Sequence, residues 1–213
     1  MSTPTLSTRV VAVDPDRPNE SVMRAAGALV GAGGLVAFPT ESFYGLGADA
    51  LDPAAIARVF EVKGRPDDKP LLVLVDSIDM VTELAAAISD GARALMARHW
   101  PGALTLVLRA SARVPAGLTG GTGTIGVRLP AHAVARALVA AAARPVTAPS
   151  ANPSAAPPPR TAADVRGYFD GRVGLILNGG TTAGGAGSTV LDCTVWPPRV
   201  LRQGPVVVEA SCG

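Results

Sequence analysis

Helix-length segments and short apolar runs alternate along most of this chain, and that alternation restricts its fold more than any other feature. The runs at 71–75 and 104–108 have the length and aliphatic content of buried strands. Asp52-Pro53 is typical of a helix start, because aspartate caps the first turn and proline fits its first position. The sequence therefore predicts an α/β fold, an open twisted sheet of mixed strand direction with flanking helices. Helices are expected at 19–31, 52–63, 89–99, 133–143 and 161–169, and further strands at 35–38, 125–129, 146–148, 173–177, 189–193, 199–201 and 206–208.

Length and charge limit the classes of protein to which the chain can belong. With 213 residues, one domain is the default. The formal net charge of only +2 argues against a general nucleic-acid binder, which would present a basic face. The two cysteines and two histidines lack the spacing of a disulfide framework or a protein-built metal site. Residues 1–18 contain no apolar core of a signal peptide and no apolar run is long enough to span a membrane, so a cytoplasmic protein without membrane contact is predicted.

Lysine is confined to one short segment. Nineteen residues are lysine or arginine, and the only two lysines are Lys63 and Lys69, just before the strand run at 71–75. Lysine places a compact charge on a flexible stem, whereas arginine offers a planar fork that binds phosphate or carboxylate through two bonds. Lys63 and Arg65 together could therefore grip a polyphosphate. A solvated turn between a helix and a strand explains the segment about equally well.

Polar side chains also collect where predicted strands end, which is where open α/β sheets bind ligands. Thr124 and Arg128 alternate with Gly126 along one strand and therefore share one of its faces. Each cluster also has an ordinary explanation, because serine, threonine and asparagine form turns and caps, and a single strand arginine often joins a surface ion pair. The glycine run at 31–34 precedes a strand, so it is predicted to end a helix rather than to bind phosphate. The other clusters are Thr40-Glu41-Ser42, Ser150-Ala151-Asn152, Gly187-Ser188-Thr189 and Leu201-Arg202-Gln203.

The order and spacing of these motifs resemble those of one known family, the YrdC-like threonylcarbamoyl-AMP synthases. The similarity extends along nearly the whole chain, and the combination of Lys63-Gly64-Arg65 with Ser150-Ala151-Asn152 is specific to that family. The resemblance implies an α/β fold with a concave basic cleft. It also implies a reaction that joins L-threonine, bicarbonate and ATP into threonylcarbamoyl-AMP and releases pyrophosphate. The motifs are Pro39-Thr40-Glu41-Ser42, Tyr44-Gly45-Leu46-Gly47, Lys63-Gly64-Arg65-Pro66, Trp100-Pro101-Gly102, Val127-Arg128-Leu129-Pro130, Pro149-Ser150-Ala151-Asn152, Gly187-Ser188-Thr189-Val190 and Leu201-Arg202.

The resemblance implies a role for individual residues. It places Lys63 and Arg65 on the triphosphate as the catalytic pair, in a reaction that needs positioning and charge neutralisation but no protein nucleophile. Arg128 would fork onto the threonine carboxylate, and Mg²⁺ is expected to ride on the phosphates. The group that removes the ammonium proton of threonine is not evident, and Glu41 is one candidate. The other implied ATP contacts are Asp67, Thr124, Ser150, Asn152, Pro158 and Arg202, and the other threonine contacts are Thr40, Ala148 and Ser188.

The sequence departs from the family pattern at a few positions. Residues 70–75 contain no histidine, where many relatives have one that helps to bind threonine, so the resemblance does not supply that contact. Ser42 stands where many relatives have threonine, and Gln203 replaces a common proline. Because the chain ends near Gly213, a single domain over 1–213 is expected, without the C-terminal domain of longer relatives.

The implied partners extend beyond the substrates. A separate threonylcarbamoyl transferase complex would pass the product to adenosine in tRNA, and a basic cleft is compatible with weak direct tRNA contact. Two other classes stay open, an RNA-binding module and a carbamoyl-transfer domain like those in hydrogenase-maturation proteins. The glycine-rich segment 179–187 is predicted to be a mobile loop that orders over bound nucleotide and threonine, or else a surface loop without consequence.

Overall fold

The computed structural model describes residues 7–66 and 69–208, which form seven helices and ten strands. None of the helices within these ranges combines the length and apolar character needed to cross a bilayer. The helices are α1 (Glu20–Gly31), α2 (Pro53–Lys63), α3 (Ile78–Leu84), α4 (Asp90–His99), α5 (Ala116–Thr119), α6 (Ala133–Ala142) and α7 (Ala162–Phe169). The strands are β1 (Arg9–Ala12), β2 (Val36–Pro39), β3 (Tyr44–Gly47), β4 (Leu72–Leu74), β5 (Leu104–Arg109), β6 (Thr124–Arg128), β7 (Val146–Thr147), β8 (Leu175–Asn178), β9 (Thr189–Asp192) and β10 (Arg199–Arg202).

The strands form two sheets that meet along a seam between β3 and β7. The strand order is β1-β8-β2-β3 in the first sheet and β10-β9-β5-β6-β4-β7 in the second. Both sheets contain parallel and antiparallel pairs. At the seam, Leu46 N donates to Pro149 O at 2.8 Å, and Thr147 N donates to Ala48 O at 2.9 Å. The predicted open α/β sheet of mixed strand direction is confirmed.

Helix α2 illustrates how local sequence sets the bounds of a helix. Asp52 accepts a hydrogen bond from Ala54 N at 2.8 Å and Pro53 begins the helix, as predicted. Gly64 ends it in the left-handed conformation, with a φ of 55°, which glycine adopts without steric cost. The chain therefore leaves the helix immediately after Lys63.

Two helical layers cover the sheets, and strand residues alternate between them. On β2, Val36 and Phe38 pack in a core with α1 and α6, whereas Ala37 packs in a larger core with α2, α4 and α7. This period of two is what a strand buried on both faces requires. Helices α1 and α6 approach closely at Gly27, where a Cβ would lie 2.5 Å from the carbonyl carbon of Ala141.

The layer formed by α1 and α6 does not extend over the whole second sheet. Among the described residues, the buried core beneath these two helices includes side chains of β2, β4, β7 and β8 but none of β5, β6 or β9. On β6, Ile125 and Val127 pack in the larger core. Thr124, Gly126 and Arg128 consequently point to the face that the two helices leave uncovered.

Two elements differ from the sequence-based expectations. Residues 206–208 do not form a strand. The Thr189 hydroxyl donates to Val206 O at 2.7 Å and accepts from Val206 N at 3.1 Å, so a side chain takes the bonds that a strand partner would make. Residues 44–47, for which no strand is predicted, pair with β2 as an antiparallel strand. Glycine suits this strand because a Cβ at Gly47 would lie 2.9 Å from the Phe38 ring. Also absent from the predicted elements are β1, α3 and α5.

Candidate active site

A cavity of about 530 Å³ lies on the face of the second sheet that α1 and α6 leave uncovered. Arg65, Arg128 and Arg202 line it, and no carboxylate is among its described lining residues. Lys63 and Asn152 are buried and do not line the cavity. The predicted contact at Asp67 lies outside the described residues. The other predicted site residues that line the cavity are Thr40, Thr124, Ala148, Ser150, Pro158 and Ser188.

Strand β6 forms part of one wall of the cavity. Thr124, Gly126 and Arg128 all line the cavity, so the prediction that they share one face of the strand is confirmed. Gly126 interrupts the row of side chains, and a Cβ at this position would lie 3.4 Å from Thr105 Cγ2, an ordinary contact distance. The glycine therefore leaves cavity space next to β6 that a larger residue would fill.

Glu41 holds the Arg128 guanidinium in place. Arg128 is only 3% exposed, and its Nη1 lies 3.1 Å from Glu41 Oε2. The other Glu41 oxygen accepts hydrogen bonds from the backbone N–H groups of Ala131 and His132, just before α6. Burial lowers the pKa of Arg128, the charge of Glu41 opposes that change, and the guanidinium remains charged. Because both Glu41 oxygens are engaged, orienting Arg128 accounts for this residue more directly than proton removal does.

Ser188 joins two neighbours at the cavity wall. Its hydroxyl oxygen lies 2.8 Å from Thr105 Oγ1 and accepts a hydrogen bond from Arg202 Nη2 at 3.1 Å. Arg202 Nε also donates to the Ser188 carbonyl at 3.0 Å. Burial lowers the pKa of Arg202. Two donors of the guanidinium thus fix it against the residue that precedes β9.

Lys63 contacts a backbone turn rather than the cavity. Lys63 is 2% exposed, and its Nζ donates to the carbonyls of Ser150 and Asn152, the latter at 2.6 Å. Burial and, less strongly, the charge of Arg65 lower the pKa of Lys63 to about 8. Lys63 therefore ties the end of α2 to the turn that carries Ser150. Its assignment to the triphosphate stays a prediction.

Arg65, two residues further on, has different surroundings. It is half-buried, lines the cavity and donates from Nη2 to Pro70 O at 3.0 Å. The two cations of the motif therefore point to different places, with Lys63 beneath the turn and Arg65 at the cavity wall. A fully solvated turn does not account for the burial of Lys63.

Asn152 and Thr40 stabilise turns next to the cavity. Asn152 Nδ2 donates to Pro153 O at 3.0 Å and to Ala156 O at 2.7 Å, so its amide fixes the segment that follows Ser150. The Thr40 hydroxyl donates to Phe43 O at 2.7 Å. With its hydrogen engaged, Thr40 can offer a ligand only an acceptor.

The glycine-rich segment 179–187 runs along the cavity and is attached to β3 and the residues before it. The Tyr44 hydroxyl donates to Gly180 O at 2.7 Å. Gly184 N donates to Ser42 O at 2.7 Å. The last residues of the segment line the cavity. Its movement over a bound ligand stays a prediction.

Thr105 lines the cavity but is not predicted from the sequence. A β-branched residue inside the apolar run at 104–108 is already explained by strand preference. The available signal is the alternation, because Leu104 and Leu106 pack in the larger core and place Thr105 on the other face. The alternation identifies Thr105 as a site residue only once the face that the helices leave uncovered is known.

Comparisons with known proteins agree with this architecture. Residues 28–204 match the family model Sua5/YciO/YrdC, which carries the description telomere recombination. The threonylcarbamoyl-AMP synthase of Pyrococcus abyssi is 47% identical over 91% of this chain and 57% of its own length. The enzyme of that name from Bacillus subtilis is 42% identical over 90% of this chain and 56% of its own length. This chain therefore spans little more than half the length of these two relatives.

Solved structures share the fold. Sua5 of P. abyssi, in a complex with L-threonine, superposes with a TM-score of 0.89 at 46% identity and covers 92% of this chain and 57% of its own. YciO of E. coli superposes with a TM-score of 0.86 at 26% identity, over 95% of this chain and 98% of its own. HypF in its phosphate- and nucleotide-bound form gives a TM-score of 0.73 at 19% identity, over 84% of this chain and 28% of its own, and is alike in fold alone.

Proposed function

We propose that this chain, which belongs to the Sua5/YciO/YrdC family, joins L-threonine, bicarbonate and ATP into threonylcarbamoyl-AMP and releases pyrophosphate. The observation that carries the proposal is the cavity, in which three arginines and several hydroxyls surround a space without a carboxylate among its described lining residues. Such a lining suits a ligand with several anionic groups. The activity named for the 47% identical relative supports this choice of reaction.

The chemistry asks little of the protein beyond alignment and charge. The amine nitrogen of threonine bonds to the carbon of bicarbonate with loss of water, which gives a carbamate. A carbamate oxygen then attacks the α-phosphorus of ATP, and the bond from that phosphorus to the bridging oxygen of pyrophosphate breaks. Because the substrate supplies the nucleophile, catalysis rests on positioning the reactants and stabilising phosphate charge.

Threonine is assigned to the part of the cavity around Arg128. Its carboxylate would accept from Arg128, which Glu41 orients at 3.1 Å. Ser188 would supply a further contact. Thr40, whose hydrogen is already donated to Phe43 O at 2.7 Å, would accept from the threonine nitrogen. Ala148 would contribute to the wall of this part of the cavity.

The nucleotide is assigned to residues from several loops and from β10. Arg65 and Arg202 would neutralise phosphate charge as the pyrophosphate forms, since both are cavity-lining guanidiniums. Lys63 would contribute through the Ser150 turn, which it binds from beneath. Asn152 would help to hold the same turn. The remaining assigned contacts are Asp67, Thr124, Ser150 and Pro158.

Mg²⁺ would be held by the phosphates of ATP. In the described part of the chain, no three His, Cys, Asp or Glu side chains are grouped closely enough to hold a metal ion. Mg²⁺ typically keeps several waters and binds through substrate phosphates, where it neutralises further charge. A cavity lined by arginines and hydroxyls fits that arrangement, because it presents the phosphates with donors and leaves their other oxygens to the ion.

The product would be consumed elsewhere. Threonylcarbamoyl-AMP is a mixed anhydride that transfers its acyl group readily, so a separate threonylcarbamoyl transferase complex would use it to modify adenosine in cytoplasmic tRNA. Weak direct contact of this chain with tRNA belongs to the same proposal.

Pyrophosphate release, measured while each substrate is omitted in turn, tests the proposed reaction. We expect pyrophosphate only when ATP, L-threonine, bicarbonate and Mg²⁺ are all present. Undiminished turnover without threonine or without bicarbonate would exclude the reaction. A salt-dependent shift of tRNA in the absence of any turnover would instead favour an RNA-binding module.

A further inference from the structure

Thr105 lies between Arg128 and Ser188, two residues that are proposed to bind the substrate L-threonine. The antiparallel pairing of β5 with β6 places Leu106 opposite Val127, so the next pair along the ladder is Thr105 and Arg128. Cross-strand partners in an antiparallel sheet point to the same face, which here is the face of the cavity. On the other side of β5, the Thr105 hydroxyl lies 2.8 Å from the hydroxyl of Ser188.

The hydrogen bonds of these two hydroxyls leave one hydrogen for a ligand. Ser188 accepts from Arg202 Nη2, and one hydrogen bond joins Ser188 to Thr105. If Thr105 donates to Ser188, the hydrogen of Ser188 is left, and if Ser188 donates, that of Thr105 is left. Neither hydroxyl has a further partner among the described residues. In both arrangements a single hydroxyl hydrogen is available to the cavity.

The groups around this hydrogen are donors as well. Arg128 stands on one side and Arg202 on the other, and both line the cavity. The carboxylate that approaches this region, Glu41, is already bonded to Arg128 and to the backbone before α6. A ligand group placed here meets hydrogen-bond donors and positive charge, which selects an anionic oxygen.

We propose that Thr105 and Ser188 act as one hydrogen-bond donor to the carboxylate of the bound amino acid, with Thr105 as the positioning residue that fixes the direction of that donor. The inference rests on the proposed function, in which threonine occupies this part of the cavity. Arg202 begins the chain of bonds, and a donor polarised by an upstream guanidinium is stronger than an isolated hydroxyl.

A purely structural role explains Thr105 less well. Thr105 is 2% exposed, so its hydroxyl needs a hydrogen-bond partner that a valine of the same shape would not need. The strand would therefore be served at least as well by valine. The hydroxyl is better accounted for by its bond to Ser188.

The test compares L-threonine affinity, by calorimetry, in the wild type and in Thr105→Val, Thr105→Ser, Ser188→Ala and the double variant Thr105→Val/Ser188→Ala. We expect each of Thr105→Val and Ser188→Ala to weaken binding by about tenfold, as for the loss of one bond to a charged group. Because the two hydroxyls act as a unit, the double variant should also lose about tenfold rather than about a hundredfold. Thr105→Ser restores the hydroxyl and should bind within about threefold of the wild type.

A second arm identifies the group that is bound. L-Threoninol lacks the carboxylate, so it should bind to the wild type more weakly than L-threonine does. The Thr105→Val substitution should not weaken the binding of threoninol any further. Additive losses in the double variant, or equal losses for threonine and threoninol, would overturn the inference, as would wild-type affinity in Thr105→Val. If the wild type itself does not bind threonine, the proposed function fails first, which separates the two results.

Discussion

The cavity has two walls that are built in different ways. The strand wall consists of the side chains that β5 and β6 direct into the cavity, including Thr105, Thr124 and Arg128. The loop wall consists of residues that follow helices or strands, including Arg65 and Ser150. Position in the strand wall follows from strand register, which repeats every two residues. Position in the loop wall depends on bonds from distant parts of the chain.

Lys63 shows what this difference means for the loop wall. Its ammonium binds the Ser150 and Asn152 carbonyls from beneath, so the end of α2 determines where that turn lies. Substitutions that face the cavity from the strand wall and break no buried ion pair should therefore alter binding with little effect on stability. Substitutions beneath the loop wall should alter stability and binding together.

The largest effect is expected for Arg128→Met on the strand wall. The variant loses the guanidinium assigned to the threonine carboxylate, and each charge-assisted bond is worth about 1.5–3 kcal/mol, so affinity for L-threonine should fall at least about a hundredfold. Calorimetry measures this change. The matched control is Arg144→Met, which breaks the 2.6 Å ion pair with Asp49, whose two residues do not line the cavity. Equal loss of threonine affinity in both variants would contradict the assignment of Arg128.

Arg65→Lys probes the loop wall while retaining the charge. Lysine cannot reproduce two directed bonds from a planar fork, so we expect kcat/KM for ATP to fall at least about tenfold. The melting temperature should stay close to that of the wild type, because Arg65 is only half-buried and lysine retains its positive charge. Near-wild-type kcat/KM would remove Arg65 from the catalytic pair.

Gly126→Val tests whether the strand wall separates binding from stability. A Cβ at this position would make only ordinary contacts, 3.4 Å from Thr105 Cγ2 and 3.8 Å from Leu72 Cδ1, so the fold should accept the substitution. The larger side chain would occupy cavity space, and we expect substrate affinity to fall about fivefold, the effect of roughly 1 kcal/mol of overpacking. Gly126→Ala serves as the smaller step and should lie between. A variant that melts early yet binds normally would reverse the expectation.

The last prediction concerns Lys63 and the pH dependence of stability. Burial lowers the pKa of Lys63 to about 8 from the ordinary lysine value of 10.5. The charged lysine therefore reduces the free energy of unfolding at neutral pH. This cost disappears as the pH rises through 8 and the folded protein loses the proton. Between pH 7 and pH 9 the wild type should gain about 1 kcal/mol in free energy of unfolding relative to Lys63→Met. Urea denaturation of both proteins at the two pH values measures the difference. A difference that stays constant, or that moves toward the variant, would show that the ammonium is not destabilised by burial.

The sequence predicts the direction of side chains along β6 better than the contacts that hold the loop wall. Alternation along β6 correctly places Thr124, Gly126 and Arg128 on one face, because strand periodicity is a local property. Helix bounds such as Asp52 and Gly64 are local as well, since caps depend on neighbouring residues.

Other features depend on residues that are far apart in sequence. The inward direction of Lys63 needs the Asn152 carbonyl, 89 residues away. The role of Glu41 beside Arg128 needs a partner 87 residues away. Residues 206–208 fail as a strand because the Thr189 side chain takes the backbone bonds of Val206. Pairings of this kind leave no signal in local composition, so only the folded chain reveals them.

Hydrogen bonds across the seam join the two sheets directly beside the cavity. Tyr44 and Ser150 flank the seam, with Ala151 N donating to Tyr44 O at 2.8 Å and an isolated bridge joining Gly45 to Ser150. Tyr44, Gly45 and Ser150 line the cavity, so separating the sheets would break the seam and displace the part of the loop wall that carries Ser150 in one event. A partly folded chain that keeps only the second sheet would therefore retain the strand wall but lack the loop wall beside Ser150.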